Sequence, residues 1–277
     1  MDEKLGSVFT LRTVKIVSAV TVGYFLLPHL RNMILFRLQP FLMHRFHETV
    51  RDIKDPVFQL LDEYYQSDTN KSIQILEIGA ADGLNLPSLP PGSQVVAVEP
   101  LGNFRTRFER RLSEVNASRN GSQPKIKLQA WYSVTAEELQ QFIKPRSSHE
   151  RTLSPFGDLP IGHFDAALST FTLCTVYDVE QVLRVFTQLV KPGGLLLFVE
   201  HIRPENRIAQ ALGFLIQPLW LWISAGCRLF REPHLLIQTK SEFSQSWEVL
   251  YCKVSNVPNV SRWSPGRRVV ALAARRR

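Results

Sequence analysis

Acidic and glycine residues meet in one short segment, "QILEIGAADG", which reads as an apolar strand followed by a tight turn. Glu77 lies near the end of the strand, and the turn holds Gly79, Ala81 and Gly83. Glu99 closes the next apolar stretch, 22 positions after Glu77. Glycines let a ligand approach the backbone, and an acid at the end of the second strand can accept two hydrogen bonds from a ribose diol. The pattern predicts a site for a cofactor that contains a nucleoside.

The turn differs from the dinucleotide fingerprint G-x-G-x-x-G, which wraps a pyrophosphate at a helix N-terminus. Ala81 stands where the central glycine would be, and Asp82 lies inside the turn. An acid facing a pyrophosphate is repulsive, whereas a sulfonium-bearing cofactor has no phosphate to repel. The extra methyl of Ala81 is tolerable in ordinary backbone geometry, but at positive φ it costs about 1 kcal/mol or more.

Alternating strands and helices must position this turn. Apolar stretches predict strands at 73–78, 94–99, 125–130, 164–170 and 195–201, a helix at 178–190, and two final strands, "WEVLYCKV" and "RRVVALAA". Gly193 or Gly194 is expected to supply the left-handed cap of that helix. The β-α alternation predicts an α/β fold: a doubly wound, Rossmann-like, seven-stranded and mainly parallel sheet.

Residues 1–50 are predicted to associate with a membrane. The run from Ile16 to Leu27 is free of charge, but a straight membrane-spanning helix needs about 20 apolar residues. Pro28 and Pro40 interrupt helical geometry, which favours a kinked or hairpin insert in one leaflet. A cleaved signal peptide and a helix packed on the protein's own core are the alternatives.

The remaining chain divides at residue 73. Residues 51–72 are predicted to be an amphipathic helix and linker, with Pro56 interrupting or restarting the helix, and 73–277 the main domain. An apolar, Trp-rich insert at 209–230 is either a pair of core helices or a lid over an apolar pocket that also contacts the membrane.

Composition narrows the partners of the protein. The 277 residues carry a net charge of +8, which favours acidic surfaces such as nucleic acid or anionic lipid. No zinc-finger spacing and no RNA-binding signature is present, so we predict lipid and no nucleic acid. The three cysteines are too scattered for a disulfide framework and indicate a reducing compartment. No cluster of metal ligands is visible, and we predict no metal.

The turn and the later strands resemble class I S-adenosylmethionine-dependent methyltransferases. The sequence "EIGAADG" is similar to their first motif, E/D-x-G-x-G-x-G, and residues 162–201 are similar to their fourth through fifth strands. One subgroup is closer, the membrane-associated alkyl thiol methyltransferases (methyltransferase-like group 7). It shares a hydrophobic N-terminal anchor, "PPG" before strand two, T-x-x-L-C-[ST]-V at 170–176, the pair Glu200–His201, and G-C-x-L-x-R-E at 226–232. The resemblance covers roughly residues 10 to 275.

The resemblance implies S-adenosylmethionine as cofactor and a set of site residues. Glu77 is then an acid that holds the turn, Glu99 the ribose ligand, and Thr135 or Glu137 the residue beside the adenine. Thr170 would lie near the methionine part of the cofactor. The predicted cofactor-binding residues are Glu77, Gly79, Ala81, Gly83, Glu99, Thr135 and Thr170.

The predicted catalytic residue is His201, as a base or as an acceptor-orienting group. Imidazole has a pKa of about 6.5 and can accept a proton at neutral pH, although a structural strand-end histidine remains the alternative. Cys174 is interpreted as a small buried hydrophobe, because methyl transfer in this class is direct and needs no covalent enzyme intermediate.

By resemblance, the expected acceptor is a small apolar molecule, an alkyl thiol first. A lipid, quinone or oxygen nucleophile is the alternative within the enzyme class. A catalytically inactive membrane or lipid-droplet scaffold is the third reading, motivated by Ala81. The expected location is the endoplasmic reticulum or lipid-droplet membrane, with the catalytic domain facing the cytosol.

Overall fold

The computed structural model describes residues 26, 30–34, 38–66, 72–119, 121, 123–145 and 157–277. The apolar run at 16–27, apart from Leu26, and nearly all of the predicted linker at 67–72 lie outside these residues. Within them, no helix has both the length and the apolar character needed to cross a bilayer.

Seven strands and seven helices form the described fold. The strands are β1 (Gln74–Ile78), β2 (Gln94–Val98), β3 (Lys127–Tyr132), β4 (Phe164–Thr170), β5 (Val190–His201), β6 (Trp247–Asn256) and β7 (Arg268–Arg276). The helices are α1 (Gln39–Thr49), α2 (Arg51–Gln66), α3 (Phe104–Ser118), α4 (Val179–Leu189), α5 (Arg207–Ile223), α6 (Pro233–Thr239) and α7 (Ser241–Ser246). Two further two-residue strands, Ile143–Lys144 and Leu159–Pro160, pair with each other.

The seven strands form one mixed sheet in the order β3-β2-β1-β4-β5-β7-β6. The first five are parallel, and β7 is antiparallel to both β5 and β6. The predicted doubly wound, mainly parallel sheet is therefore confirmed. Ile78 pairs with Val98 and with Ser169, so the carboxyl ends of β1, β2 and β4 lie at one edge of the sheet. Ligands of doubly wound folds bind at this edge, next to the point where the strand order reverses.

Alternation along the strands divides the core between the two faces of the sheet. Leu76 packs with Phe186 of α4 and Trp247 on one face, while Ile75 packs with Leu61 of α2 and Phe108 of α3 on the other. Successive side chains of a strand point to opposite faces, so a central strand that is covered on both faces must be apolar throughout. All seven residues of β4 are buried, as this rule requires.

Several element bounds differ from the sequence prediction. The fourth strand lies where predicted, but β3 is shifted by two residues and β5 begins five residues early, at Val190. Gly193 has a φ of +80°, yet it lies inside β5, beside a register shift in the pairing with β4, and does not cap α4. The predicted cap was wrong because the helix already ends at Leu189, where the next residues pair as a strand.

The N-terminal helices also break at a different place. The chain turns between α1 and α2 at Val50, whereas Pro56 lies inside α2. Pro56 is the sixth residue of α2, so it removes one backbone hydrogen bond, that to Asp52 O, and the helix continues through it. The prediction that Pro56 interrupts the helix was therefore wrong.

Candidate active site

A cavity of about 660 Å³ opens at the carboxyl ends of β1, β2, β4 and β5. Its volume lies within the range of about 300–1,000 Å³ typical of small-molecule sites. Six of the eight predicted site residues line it: Gly79, Ala81, Glu99, Thr135, Thr170 and His201. The topology thus brings together residues that are separated by more than 120 positions in the sequence.

The turn after β1 is shaped by backbone geometry that favours glycine. Gly79 has a φ of +72°, and a Cβ placed there would lie 1.9 Å from Thr172 Oγ1. Gly83 has a φ of +76°, and its Cβ would lie 2.6 Å from Leu86 Cδ1. Ala81 also adopts a positive φ, 41°. The central alanine is therefore strained, which is the costlier of the two outcomes considered from the sequence.

Glu99 lies at the end of β2 and fastens this turn. Its Oε2 accepts a hydrogen bond from Ala81 N–H at 3.2 Å, and its Oε1 accepts one from Leu101 N–H at 3.0 Å. Burial raises the pKa of the Glu99 carboxyl, and the two backbone hydrogen bonds oppose that rise. A carboxylate offers about four lone-pair sites, so two remain for hydroxyl donors in the cavity.

Glu77 lies behind the cavity wall in a buried polar network. Asn85 Nδ2 donates to Glu77 Oε1 and to Thr170 Oγ1, both at 2.8 Å. Lys54 Nζ, from α2, donates to Asn85 Oδ1 at 2.8 Å. Burial raises the pKa of Glu77 to about 7 and lowers the pKa of Lys54 to about 8. Asn85 and Thr170 line the cavity, so Glu77 supports the wall through them, while its predicted role of holding the turn stays a prediction.

Sequence reasoning missed Lys54 and Asn85. The one available signal was the position of Lys54 within the apolar stripe of α2, four residues after Val50 and three before Val57. A lysine at a core-facing position of a helix needs buried partners, and here they are the Asn85 side chain and the His47 ring.

Thr135 and Glu137, the two candidates for the adenine end, both line the cavity. The backbone N–H and the hydroxyl of Thr135 donate to Glu138 Oε2 at 2.7 and 3.1 Å. Glu137 Oε1 accepts from the backbone N–H groups of Tyr177 and Asp178 at 2.5 and 3.0 Å. Glu137 therefore ties the start of α4 to this wall, and Thr135 stays exposed at the rim.

A second loop, residues 171–177, forms the wall after β4. Phe171 begins it with a φ of 54°. Glu200 of β5 is fully buried, and its Oε1 accepts from Ser169 Oγ and from the N–H groups of Thr172 and Leu173 at 2.8–3.0 Å. Its Oε2 accepts from Cys174 N–H at 3.3 Å. This anchor was also missed, because the sequence shows only a strand-end acid.

His201 lies at the end of the cavity where the sequence predicts the acceptor. Its ring lies against two aromatic rings, with centroids 5.2 Å from Phe46 and 4.8 Å from Phe171. Trp220 of α5 lines the same end. The insert predicted at 209–230 thus contributes Trp220 and Cys227 to the cavity wall. The other side of α5 exposes Phe214, whose surface is 79% accessible.

Two cysteines lie beside this histidine. Cys174 is buried, as predicted, and its ligand atom, that of Cys227 and that of His201 all lie within 4.8 Å of one another. A hydrogen bond from the Cys174 thiol, followed by His201, lowers the pKa of Cys227, and the same hydrogen bond raises the pKa of Cys174. Cys227 was missed because the three residues come from three distant segments of the chain.

The cavity fits S-adenosylmethionine better than a phosphate-bearing cofactor. Glu99, Asp82 and Glu137 place three carboxyl groups along its wall. Glu77 Oε2 is buried without a hydrogen-bond partner among the described residues. Such a wall attracts a cationic sulfonium and an ammonium group. The sheet order and this site define a class I, S-adenosylmethionine-dependent methyltransferase.

Comparison with known proteins agrees with this class. The Methyltransferase domain family matches residues 45–243, which is more than half of the chain, and the protein belongs to this family. A solved structure of a SAM-dependent methyltransferase from Thermotoga maritima, a possible histamine N-methyltransferase, superposes with a TM-score of 0.50 at 16% identity. The superposition covers 88% of this chain and 97% of the Thermotoga maritima chain, and the similarity concerns the fold.

Two curated relatives are similar at low identity. The rat thiol S-methyltransferase TMT1B is 28% identical over 182 residues, which cover 64% of this chain and 62% of the relative. The human thiol S-methyltransferase TMT1A is 24% identical over 229 residues, which cover 76% of this chain and 81% of the relative. The chain thus matches somewhat less than two thirds of the length of the first relative.

Proposed function

We propose that this methyltransferase methylates the sulfur of a small apolar thiol. The observation that carries the proposal is the single cavity that runs from Glu99 to His201, carboxylate-rich at one end and aromatic at the other. The name thiol S-methyltransferase of the two relatives supports sulfur as the acceptor atom. A lipid, quinone or oxygen nucleophile is the alternative acceptor.

The cofactor end binds and orients the donor. S-adenosylmethionine, when bound, supplies an electrophilic methyl group on a cationic sulfur. Glu99 accepts hydrogen bonds from the ribose hydroxyls through the two lone pairs that its backbone partners leave free. The turn at 79–83 lets the donor pass close to the backbone. Thr170, whose oxygen already accepts from Asn85, is left with a hydroxyl proton to donate.

The acceptor end excludes water from the reacting sulfur. Phe171, Trp220 and Met43 line this end with apolar surface. A thiolate and a sulfonium neutralise each other as the new bond forms, so an environment of low polarity favours their reaction. His201 lies at this end and would orient the acceptor sulfur.

The test compares acceptors that differ in one atom. The full chain is incubated with S-adenosylmethionine and either an alkyl thiol or the alcohol of the same chain length, and products are identified by mass spectrometry. We expect the methyl thioether and S-adenosylhomocysteine from the thiol and no ether from the alcohol. Equal methylation of the alcohol, or methylation of a quinone or lipid in preference to the thiol, would contradict the thiol acceptor. If calorimetry shows no binding at millimolar S-adenosylmethionine, the inactive-scaffold alternative is correct.

We further propose that the protein lies on a membrane through α5 and the N-terminal segment. Phe214, Leu215 and Leu219 of α5 are 79%, 76% and 61% exposed, and Phe41 of α1 is 55% exposed. Arg31 Nε donates to Trp222 O at 3.1 Å, which places the N-terminal segment beside the end of α5. Exposed apolar side chains gathered on one side of a molecule mark an interaction surface. An apolar acceptor dissolved in a bilayer would then be near the cavity.

Vesicle flotation tests this surface. Replacing Phe214 and Leu215 by serine should reduce recovery with anionic vesicles, because both side chains are largely exposed and contribute little to the core. Val254→Ser, an exposed position on β6, is the matched control and should float like the unaltered protein. Equal flotation of the double variant would locate membrane binding elsewhere, in the first place at residues 1–50.

A further inference from the structure

We propose that Cys174, His201 and Cys227 form a zinc site at the acceptor end of the cavity, with one coordination position open to the acceptor. The three side chains come from the loop after β4, the end of β5 and the loop after α5. All three line the cavity. The inference deepens the proposed function, since the open position would bind the acceptor thiol.

The spacing of the donor atoms suits a zinc ion after a small contraction. The two thiol sulfurs and one ring nitrogen lie within 4.8 Å of one another. Zinc–sulfur bonds of about 2.3 Å in a tetrahedron place two sulfurs about 3.8 Å apart, so side-chain rotations that close at most roughly 1 Å complete the site. Two thiolates and an imidazole are donors that zinc prefers, and a set of three protein ligands leaves the fourth position for a substrate.

Backbone hydrogen bonds hold the two cysteine loops together without any ion. Arg228 N–H donates to Cys174 O at 2.8 Å, which joins one loop directly to the other. Cys174 N–H is held by Glu200, and Cys227 O accepts from Gln217 Nε2 at 3.1 Å. Metal sites depend on such supporting contacts to orient their ligands. The cysteine backbones are therefore preorganised.

Two buried nitrogens lie beside the Cys227 sulfur and favour its thiolate form. Nδ1 of His201 and Nε1 of Trp220 are buried, and both side chains lie near the Cys227 sulfur, which interacts with each of them. Buried polar atoms are rarely left unpaired in folded proteins. A zinc-bound thiolate at Cys227 would accept a hydrogen bond from the Trp220 indole.

The charge of the site matches the reaction. A divalent ion bound by two cysteine thiolates and one acceptor thiolate forms a complex with a net charge of −1. This negative charge attracts the cationic sulfonium of the cofactor. On binding, the acceptor thiol releases its proton to solvent. Its sulfur then forms a bond to the methyl carbon while the bond from that carbon to the sulfonium sulfur breaks, and the electron pair of that bond remains on the cofactor sulfur. The products are a methyl thioether, a poorer ligand than a thiolate, and S-adenosylhomocysteine.

Cobalt(II) substitution tests the site without turnover. The reduced full-length protein is freed of metal with a chelator and titrated with cobalt(II), which reports tetrahedral thiolate coordination by its d–d and charge-transfer absorption. We expect one equivalent to bind and zinc to displace it. Cys174→Ser and Cys227→Ser should lose this absorption, whereas Cys252→Ser, the third cysteine, should keep it.

Three outcomes would overturn the site. In the first, the unaltered protein gives an octahedral cobalt spectrum or none. In the second, Cys252→Ser loses the spectrum as completely as the other two serine variants. In the third, the protein is isolated without metal and with a Cys174–Cys227 disulfide. Retained S-adenosylmethionine affinity shows by calorimetry that the serine variants are folded. If Cys174→Ser and Cys227→Ser both unfold, Cys227→Asp replaces them in the test, because aspartate keeps an anionic ligand. This variant should bind cobalt with a weakened charge-transfer band. An unchanged band would contradict the site.

The cobalt spectrum also tests whether the open coordination position binds the acceptor thiol. Adding a small alkyl thiol to the cobalt protein, without S-adenosylmethionine, should strengthen the charge-transfer band, and an unchanged spectrum would overturn acceptor binding at the ion. Full-rate thiol methylation by metal-free protein would overturn the zinc site while leaving the proposed function intact. A cobalt protein that binds the thiol but never methylates it would overturn the proposed function and leave the metal site intact.

Discussion

Two strand-end loops border the cavity, and each is fastened by a glutamate of the neighbouring strand. Glu99, directly after β2, holds the turn after β1, and Glu200 of β5 holds the loop after β4. Each loop also contains a non-glycine residue at positive φ, Ala81 in the first and Phe171 in the second. The fold thus uses one device twice, because parallel strands end side by side and a carboxylate can reach the backbone N–H groups of the adjacent loop.

The number of hydrogen bonds distinguishes the two glutamates. Glu200 accepts four from its own chain, three at Oε1 and one at Oε2, which equals the number of lone-pair sites of a carboxylate. Glu99 accepts two and keeps two sites free at the cavity wall. A strand-end acid is therefore a candidate ligand only where its loop leaves it unsaturated, and Glu200 is a structural support.

The largest effect on stability is expected from replacing Glu200, the glutamate that accepts four hydrogen bonds. Glu200→Ala leaves three backbone N–H groups and the Ser169 hydroxyl without their partner, and each buried orphan costs about 1–3 kcal/mol. We expect the free energy of unfolding to fall by at least about 3 kcal/mol. Denaturant titration measures this, with Glu248→Ala, an exposed position on β6, as control. Undiminished stability would show that the loop does not depend on Glu200.

Glu77, the buried acid behind the cavity wall, should make the stability of the protein depend on pH. The folded-state pKa of Glu77 is raised from 4.5 to about 7, so its protonated form is favoured in the fold. Its contribution is fully present below pH 4.5 and falls as pH rises to about 7, by at most roughly 3 kcal/mol. Lys54, with a pKa of about 8, stays charged through this window. The His47 pKa is lowered to about 2, so His47 acts oppositely below pH 6.5.

Comparison with Glu77→Gln isolates this contribution, because the glutamine does not titrate while His47 is common to both proteins. Unfolding free energies of the two proteins at several pH values between 4.5 and 7 should diverge, with the unaltered protein losing stability relative to the variant. Parallel curves across that range would show that Glu77 is ionised in the fold throughout.

Replacing Glu99, the glutamate with two free lone-pair sites, should affect cofactor binding more than protein stability. Glu99→Ala removes the carboxylate that faces the cavity, and we expect the affinity for S-adenosylmethionine to weaken by about 1–3 kcal/mol, the range for hydrogen bonds to charged groups. Calorimetry measures this directly. Unchanged affinity would remove Glu99 from the cofactor site, and a loss of stability as large as that of Glu200→Ala would erase the contrast between the two acids.

The smallest effect is expected at Ala81, the strained residue of the first loop. Ala81→Gly relieves a positive φ that costs about 1 kcal/mol, although glycine adds unfolded-state entropy worth about 0.4–1 kcal/mol. We expect a melting temperature equal to or slightly above that of the unaltered protein, and cofactor affinity no weaker. Phe171→Gly relieves the same kind of strain but loses ring contacts to His201 and Phe46, so it should lower the melting temperature. A clear loss of stability in Ala81→Gly would show that the Ala81 methyl packs usefully.

Much of the cofactor end could be predicted from local sequence. The glycine spacing and Glu99 at the end of the next apolar stretch indicate a strand-turn-strand unit, and the structure places Gly79, Ala81 and Glu99 around one cavity. Such signals are readable because each residue acts within its own turn or strand end. The roles of these residues as ligands, and that of His201, stay predictions.

The acceptor end could be predicted far less. Cys227 and Trp220 belong to an apolar insert whose sequence permits either core helices or a lid, and only the packing of α5 places them beside His201. Lys54 and Asn85 meet because α2 docks on the sheet next to the first turn. Long-range pairs of this kind leave no periodic pattern in the sequence, since neither partner determines the local structure of the other.

The amino-acid sequence by itself determined the order of strands and helices, the apolar faces that bury them, and the cofactor turn with its acid. These follow from hydrophobic periodicity and from the backbone angles that glycine permits. The tertiary structure alone decided which acid is saturated, which loops share a wall, and that Cys174, His201 and Cys227 converge. Hydrogen-bond saturation and convergence depend on distances between segments far apart in the chain, and only the packed sheet with its helices sets those distances.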